Sequence, residues 1–350
     1  MKHETRPYPL IGIDELTITV IIPVYNGGMN FRRCLASVND TVPPPDEVIV
    51  VSDGDTDGSW RMAEEFGATV IRLGISGGPA RARNIGASAS KGNILFFVDA
   101  DVTIPSDTIG KLSKAFQGEP DMAALFGSYD DAPAETNFLS QYKNLFHHYV
   151  HQTGREDAST FWAGCGAIRR EIFLSMGGFD ERYFHHTLGG RPGTSEDIEL
   201  GYRLKRSGYR IRLLKDLQVK HWKRWGAASL VKADFFYRAL PWTGMILREG
   251  RFVNDLNIKM SSRLSVISLY LLLLCLPAAW IIPWFFIPAL FLAAGMVGLN
   301  WDLYRFFKNK RGWVFALKTI PWHWFYFLYS GLAFAIGLAH YKSKNKSEQE

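Results

Sequence analysis

Residues 264–299 contain no charged side chain. An uncharged apolar run of that length has few ways to fold, because it exceeds the ~20 residues of one membrane span and approaches two. Pro277, Pro283 and Pro288 interrupt it, and Trp280 and Trp284 lie near its middle. That pattern predicts a helical hairpin with an interfacial turn. A further apolar segment covers about 320–339, bracketed by Lys318 and Lys342. Core helices of a soluble protein are the alternative, and an uncharged run this long argues against them. The expected apolar segments are therefore about 264–282, 284–299 and 320–339 within a membrane region at 263–342, followed by a polar tail at 343–350. Their topology stays open. A hairpin leaves Arg263 and Arg305 on one side, and one further span would put Lys342, Lys344 and Lys346 on the other, against the positive-inside bias. Either the third segment is re-entrant or the second is not a full span.

The formal net charge of +6 admits a nucleic-acid binder. The cations, however, flank the apolar runs: Arg248, Arg251, Lys259 and Arg263, then Arg305, Lys308, Lys310 and Arg311, then the three C-terminal lysines. This placement fits membrane lipids with anionic headgroups, and no nucleic-acid partner is expected. Cys34, Cys165 and Cys275 are far apart and form no metal-ligand or disulfide pattern, which suits a reducing compartment. The first fifteen residues lack the apolar core of a signal peptide. The expected location is the inner or plasma membrane, with the soluble part facing the cytoplasm. Residues 226–262 read as interfacial amphipathic helices or a linker, and in the aromatic stretch 222–259 Trp225, Phe235, Phe236, Tyr237 and Trp242 are expected at headgroup level or in an ordinary core helix.

Residues 1–225 have a different rhythm. Residues 17–24 (TITVIIPV) form a continuous β-branched apolar run, the signature of a strand buried on both faces. Helix is predicted over 30–38, strand over 47–52, helix over 59–66, strand over 69–73, helix over 80–90 and strand over 94–98. Repeated strand–helix units predict an α/β fold, a mainly parallel Rossmann-like sheet with helices on both faces. Ligands of such sheets bind beyond the carboxyl ends of the strands. There the sequence places Pro23-Val24-Tyr25-Asn26-Gly27-Gly28, then Asp53-Gly54-Asp55-Thr56-Asp57-Gly58, then Asp99-Ala100-Asp101. The first turn lacks G-x-G-x-x-G, and no G-x-x-x-x-G-K-[ST] occurs, so neither a dinucleotide dehydrogenase nor a P-loop NTPase is expected. Two carboxylates as close as Asp99 and Asp101 repel one another unless a cation offsets them, and hard oxygen ligands favour Mg²⁺ or Mn²⁺. Two loop acids, one capping a helix near Ser106, are the plainer reading.

Taken in order, four segments resemble glycosyltransferase family 2 with the GT-A fold: IIPVYNGG, VIVVSDGDTDGS, GGPARARNIGASASKGNILFFVDAD, and GGFDERYF followed by SEDIELGYRLKRSGYRI. Ser52 stands where the family commonly has the first of two Asp. The resemblance implies that Pro23, Tyr25 and Asp53 line a nucleoside pocket, with Asp53 accepting hydrogen bonds from base or ribose. It implies that Arg81 or Arg83 faces the donor phosphates, and that Asp99 and Ala100 border the donor. Asp101 becomes the main metal ligand, with Asp99 beside it. Glu196 and Asp197 become the catalytic acid pair, Asp197 the base. Residues 177–181 and the turn at 164–166 shape the sugar and acceptor pockets. His221-Trp222-Lys223-Arg224-Trp225 resembles the Q-x-x-R-W motif of processive synthases with His in place of Gln, and His221 is expected to ligate the metal or touch the diphosphate. His185 and His186 lie in a Gly-rich loop at 185–193, read as solvated or as an acceptor lid. His147, His148 and His151 sit on a helix without a catalytic part.

The implied reaction is inverting: one in-line displacement moves a sugar from a nucleotide-diphosphate donor to a hydroxyl. A carboxylate takes the proton and a metal offsets charge on the leaving group. Asp197 also has a plainer reading as an acid at a helix N-terminus. The anchor suggests a lipid-linked or cell-envelope glycan acceptor. A processive polysaccharide synthase and a non-catalytic membrane scaffold are the competing functions.

Overall fold

The computed structural model describes residues 16–182, 195–249 and 259–347. Three readings lie outside the described residues: the N-terminal fifteen, the loop with His185 and His186, and Arg251. Two compact units are present. The first comprises residues 1–130, 155–184 and 196–223, and the second residues 131–154, 185–195 and 224–350. Residues 131–154, which the boundary at 225 kept with the sheet, pack in the second unit.

The first unit is built on an eight-stranded mixed sheet in the order β3-β2-β1-β4-β7-β6-β8-β5. Its strands are β1 (Ile18–Val24), β2 (Glu47–Asp53), β3 (Thr69–Leu73), β4 (Ile94–Val98), β5 (Val102–Thr103), β6 (Met122–Tyr129), β7 (Cys165–Arg169) and β8 (Arg210–His221). β1 pairs in parallel with β2 and β4, and β2 with β3. β7 runs antiparallel between β4 and β6, β8 is parallel to β6, and β5 closes the edge antiparallel to β8. The helices are α1 (Gly28–Asn39), α2 (Ser59–Glu65), α3 (Pro79–Ala89), α4 (Thr108–Gly118), α6 (Arg170–Ser175) and α7 (Glu196–Arg206), with α5 (Phe138–Gln152) in the second unit.

Successive strand residues point to opposite faces, and here both faces are covered. Val20, Ile22, Val24, Phe96 and Val98 pack with Phe31, Cys34 and Leu35 of α1 on one side. Ile21, Leu95 and Phe97 pack with Ala80 and Ala87 of α3 and Leu200 of α7 on the other. Strand order reverses at β1, between β2 and β4, so a crevice opens at the carboxyl ends of β1 and β4. At Gly54 the backbone has φ +76°, and a Cβ there would lie 2.7 Å from the Ser76 nitrogen. Gly54→Ala should therefore destabilise this unit by about 1–3 kcal/mol. A melting midpoint equal to that of the wild type would contradict this.

The second unit is helical. α8 (Ala227–Lys232) passes into a π-helix (Ala233–Ala239) and α9 (Leu240–Glu249), followed by α10 (Met260–Ile281), a 3₁₀ turn (Pro283–Phe285), α11 (Phe286–Leu299), α12 (Trp301–Arg311) and α13 (Trp313–Ser347). Among the described residues α10 alone is long and apolar enough to cross a membrane. The count becomes two if the segments Pro283–Leu299 and Trp301–Arg311, bent by 61°, form one broken span. Only Pro283 breaks the hairpin. Pro277 stays inside α10, and Pro288 sits in the first turn of α11, where no intrahelical donor is lost. Trp280 and Trp284 are strongly exposed at that break.

The third apolar segment is part of α13, whose Trp, Tyr and His side chains dilute its hydropathy. Its Ala316, Ile320 and Trp322 pack on α5 and α12. Trp225 is buried rather than interfacial: its N–H donates to Ser140 Oγ at 2.7 Å, and its ring packs with Tyr142 and Phe307. Asp234 in the π-helix accepts from Lys143 Nζ (2.6 Å), Arg238 (3.1 Å) and Tyr329 Oη (3.0 Å), joining three segments of this unit.

Candidate active site

Every candidate site residue lies in the first unit. The loops after β1 and β2 are fastened together. Asn26, at φ +51°, accepts from Thr56 N through Oδ1 at 2.8 Å, Gly28 N donates to Asp57 (3.0 Å) and Gly27 N to Ser59 Oγ (3.0 Å). They place Tyr25, 60% exposed, beside half-buried Pro23.

Asp53 is buried and already occupied. Its oxygens accept from Ser76 Oγ, Gly77 N and Gly78 N, each at 2.8 Å, which tethers the loop that starts α3. A carboxylate offers about four lone-pair sites, so these three bonds leave about one more acceptor site. The Arg81 side chain folds over Gly77 in that loop, and among the described residues no carboxylate pairs with it.

Arg83 is the other arginine and has a different role. Nearly fully buried, it donates to Asp99 Oδ1 at 2.6 Å and Glu196 Oε1 at 2.9 Å. α3 thus joins the end of β4 to the start of α7. Burial opposes the Arg83 charge, but Asp99, Glu196 and Asp197 outweigh it and raise the pKa. Burial pushes Glu196 up to about 7 against the pull of Arg83, with Asp197 adding to the rise. Burial also raises Asp197, opposed by Arg83 and by the N–H groups of Ala163 (3.3 Å) and Ile198 (2.8 Å). Asp197 is partly exposed whereas Glu196 is buried.

On the other side of the D-x-D turn, Asp101 Oδ2 stands 3.5 Å from His221 Nε2. The β5–β8 ladder sets this spacing: Val102 pairs with His221, and Trp222 N–H donates to Asp101 O at 2.9 Å. Burial alone would raise the Asp101 pKa; His221 and Lys223 reverse that and hold it at about 2. Half-buried Ala100 lies between the two acids.

Among the described residues no cluster of three or more His, Cys, Asp or Glu forms a closed metal cage. Asp101 and His221 are one oxygen and one nitrogen donor within reach of a single ion. Mg²⁺ and similar ions need only one or two protein ligands when substrate phosphates and water complete the shell. The pair therefore fits Mg²⁺ or Mn²⁺, and Asp99 beside it gives its Oδ1 to Arg83.

The stretch 177–181 is fixed by Asn84, which donates to Phe179 O (2.9 Å) and accepts from Phe179 N (2.8 Å). Two participants escaped sequence reading: the Ala163 N–H on Asp197, and Tyr129, stacked on His221 with centroids 4.4 Å apart. The apolar run 122–129 signals a buried strand ending at Tyr129, but no local signal reports the stack.

Residues 19–177 match the profile described as glycosyl transferase family 2. The chain is 26% identical over 231 residues to the succinoglycan biosynthesis protein ExoA of Rhizobium meliloti, covering 60% of this chain and 66% of that protein. It is 31% identical over 117 residues to glycosyltransferase GlyG of Streptococcus pneumoniae, covering 32% of this chain and 38% of that protein. The chain thus spans well under two thirds of GlyG, and only 14% of GlyA from the same organism. The mannosyltransferase PcManGT from Pyrobaculum calidifontis, solved with GDP-Man and Mn²⁺, superposes with a TM-score of 0.52 at 18% identity, covering 91% of this chain and 86% of that one. This likeness establishes the GT-A fold.

Proposed function

We propose that this chain, whose residues 19–177 match the glycosyl transferase family 2 profile, transfers a sugar, with inversion, from a nucleotide-diphosphate donor to a hydroxyl of a membrane-associated acceptor. The observation that carries the reading is the Arg83 bridge. It ties the D-x-D turn at Asp99 to the acid pair at Glu196, and so brings both carboxylate sites to one crevice at the ends of β1 and β4.

Within this reading Pro23, Tyr25 and Ala100 border the nucleoside, and Asp53 holds the pocket wall. Arg81, without a carboxylate partner among the described residues, faces donor phosphate. Asp101 and His221 hold Mg²⁺ or Mn²⁺. When bound, that ion supplies Lewis-acid stabilisation of charge on the leaving diphosphate. Asp197 takes the proton from the acceptor hydroxyl, and its raised pKa suits a base near neutral pH. Glu196 holds Arg83 and acts through it.

The acceptor class, lipid-linked or cell-envelope glycan, follows from the apolar α10 and the cations beside it, which favour a plasma-membrane location with the first unit facing the cytoplasm. The test uses detergent-purified full-length protein and a panel of nucleotide sugars. Release of nucleoside diphosphate should require Mg²⁺ or Mn²⁺, disappear in Asp101→Asn, and be faster with lipid-linked than soluble acceptors. Release by Asp101→Asn at the wild-type rate would overturn the proposed site.

A further inference from the structure

The His221 imidazole, whose Nε2 lies near Asp101, is also covered on a ring face. β6 ends at Tyr129, which pairs with Val219 on β8. His221 is two residues on and therefore on the same face as Val219, within diagonal reach of an aromatic ring. The Tyr129 and His221 rings are stacked, with centroids 4.4 Å apart and planes 7° apart. The strand end beneath them is secured by Asp130 N–H to Val219 O (2.8 Å) and by Lys220 Nζ to Asp130 Oδ2 (2.8 Å). Trp162 meets the Tyr129 ring edge-on at 4.9 Å and 90°. A Cβ on Gly164 would lie 2.7 Å from the Trp162 ring, so the glycine is what lets the indole lie there.

Three consecutive residues thus touch three parts of the site. Trp162 packs on the ring that packs on His221, Ala163 N–H donates to Asp197 at 3.3 Å, and Gly164 O accepts from Asp99 N at 3.2 Å. We propose that Tyr129 and Trp162 are positioning residues, which hold the His221 ring in register with Asp101 and lock that pair to the placement of Asp197. The proposal rests on His221 being a metal ligand. Ligand imidazoles are ordinarily oriented by a hydrogen bond at the second ring nitrogen; here a ring face limits rotation, and with it the direction of Nε2.

Mn²⁺ binding to the full-length protein in detergent, read by electron paramagnetic resonance without substrate, tests this. Tyr129→Leu should weaken Mn²⁺ affinity roughly 10–100-fold, the usual effect of removing an outer-shell partner. Tyr129→Phe, which keeps the ring face, should restore it. Trp162→Leu should weaken affinity less, and should also lower kcat at saturating Mn²⁺ because Ala163 no longer places Asp197. His221→Ala separates the two levels. Unchanged affinity in His221→Ala would end the metal reading and the clamp with it. Weakened affinity in His221→Ala with wild-type affinity in Tyr129→Leu would overturn the clamp alone. A Tyr129→Phe variant as weak as Tyr129→Leu would also overturn it, since the stacked face would then not be what matters.

Discussion

Asp197→Asn is expected to lower kcat for sugar transfer by roughly 10²–10⁴-fold with donor binding unchanged, the range for losing a positioned general base. The substitution is nearly isosteric, and the Arg83 bridge does not pass through Asp197, but the single amide oxygen can serve only one of the Ile198 and Ala163 N–H groups that now share the carboxylate. What disappears is the proton acceptor. The pH profile gives a second signature. Burial raises the Asp197 pKa, and a base works only when deprotonated, so wild-type activity falls as pH drops through a value above the ordinary aspartate range. In the Asn variant that limb disappears from the residual rate. Calorimetric donor titration paired with rate measurement across pH checks both points. Retention of wild-type kcat by the variant, or an unchanged acid limb, would remove Asp197 from the chemistry.

The half of the sheet formed by β3, β2, β1 and β4 was legible, and the other half was not. β1, β2 and β4 are continuous apolar runs ending in Gly and Asp, a pattern that long-range contacts do not alter. β5 has two residues and exists only because β8 passes beside it. β6 reads as an apolar run, but its place between β7 and β8 is set by long-range pairing, and the alternation in β8 becomes clear only once its burial is seen.

The same division runs through the site. Spacing identified Asp99 and Asp101 as a pair but not their different partners, because Arg83 and His221 reach them across the fold. The choice between Arg81 and Arg83 was equally undecidable from sequence, since it turns on Glu196, 113 positions from Arg83. The long α13 was legible only as an apolar window at 320–339; its packing on α5 and α12 within the second unit depends on residues far away in sequence.

Arg83→Met should have the largest effect on stability, about 3–5 kcal/mol at neutral pH, as expected when one partner of a buried ion pair is removed. The side chain is nearly the same length, so the loss is electrostatic: Glu196, almost fully buried, and Asp99 lose the guanidinium between them. Arg83→Lys is no substitute, because one ammonium cannot present the two-pronged donor geometry that reaches both acids. The pH dependence identifies the cause. Without Arg83 the folded-state Glu196 pKa rises further above the unfolded value of about 4.3. Stability then falls as pH rises through this window and returns as pH falls, when both states hold neutral acids. The deficit against wild type should therefore be greatest above pH 7 and shrink toward pH 5. Glu196→Gln on the Arg83→Met background should recover part of it at neutral pH, because Gln avoids the cost of charging or protonating a buried carboxyl. Denaturant unfolding of the four proteins in the cycle, at two pH values, measures this directly. A deficit that is the same at both pH values, or a double variant no more stable than Arg83→Met, would mean that Arg83 contributes packing and that the charge bridge does not hold the two acid sites together.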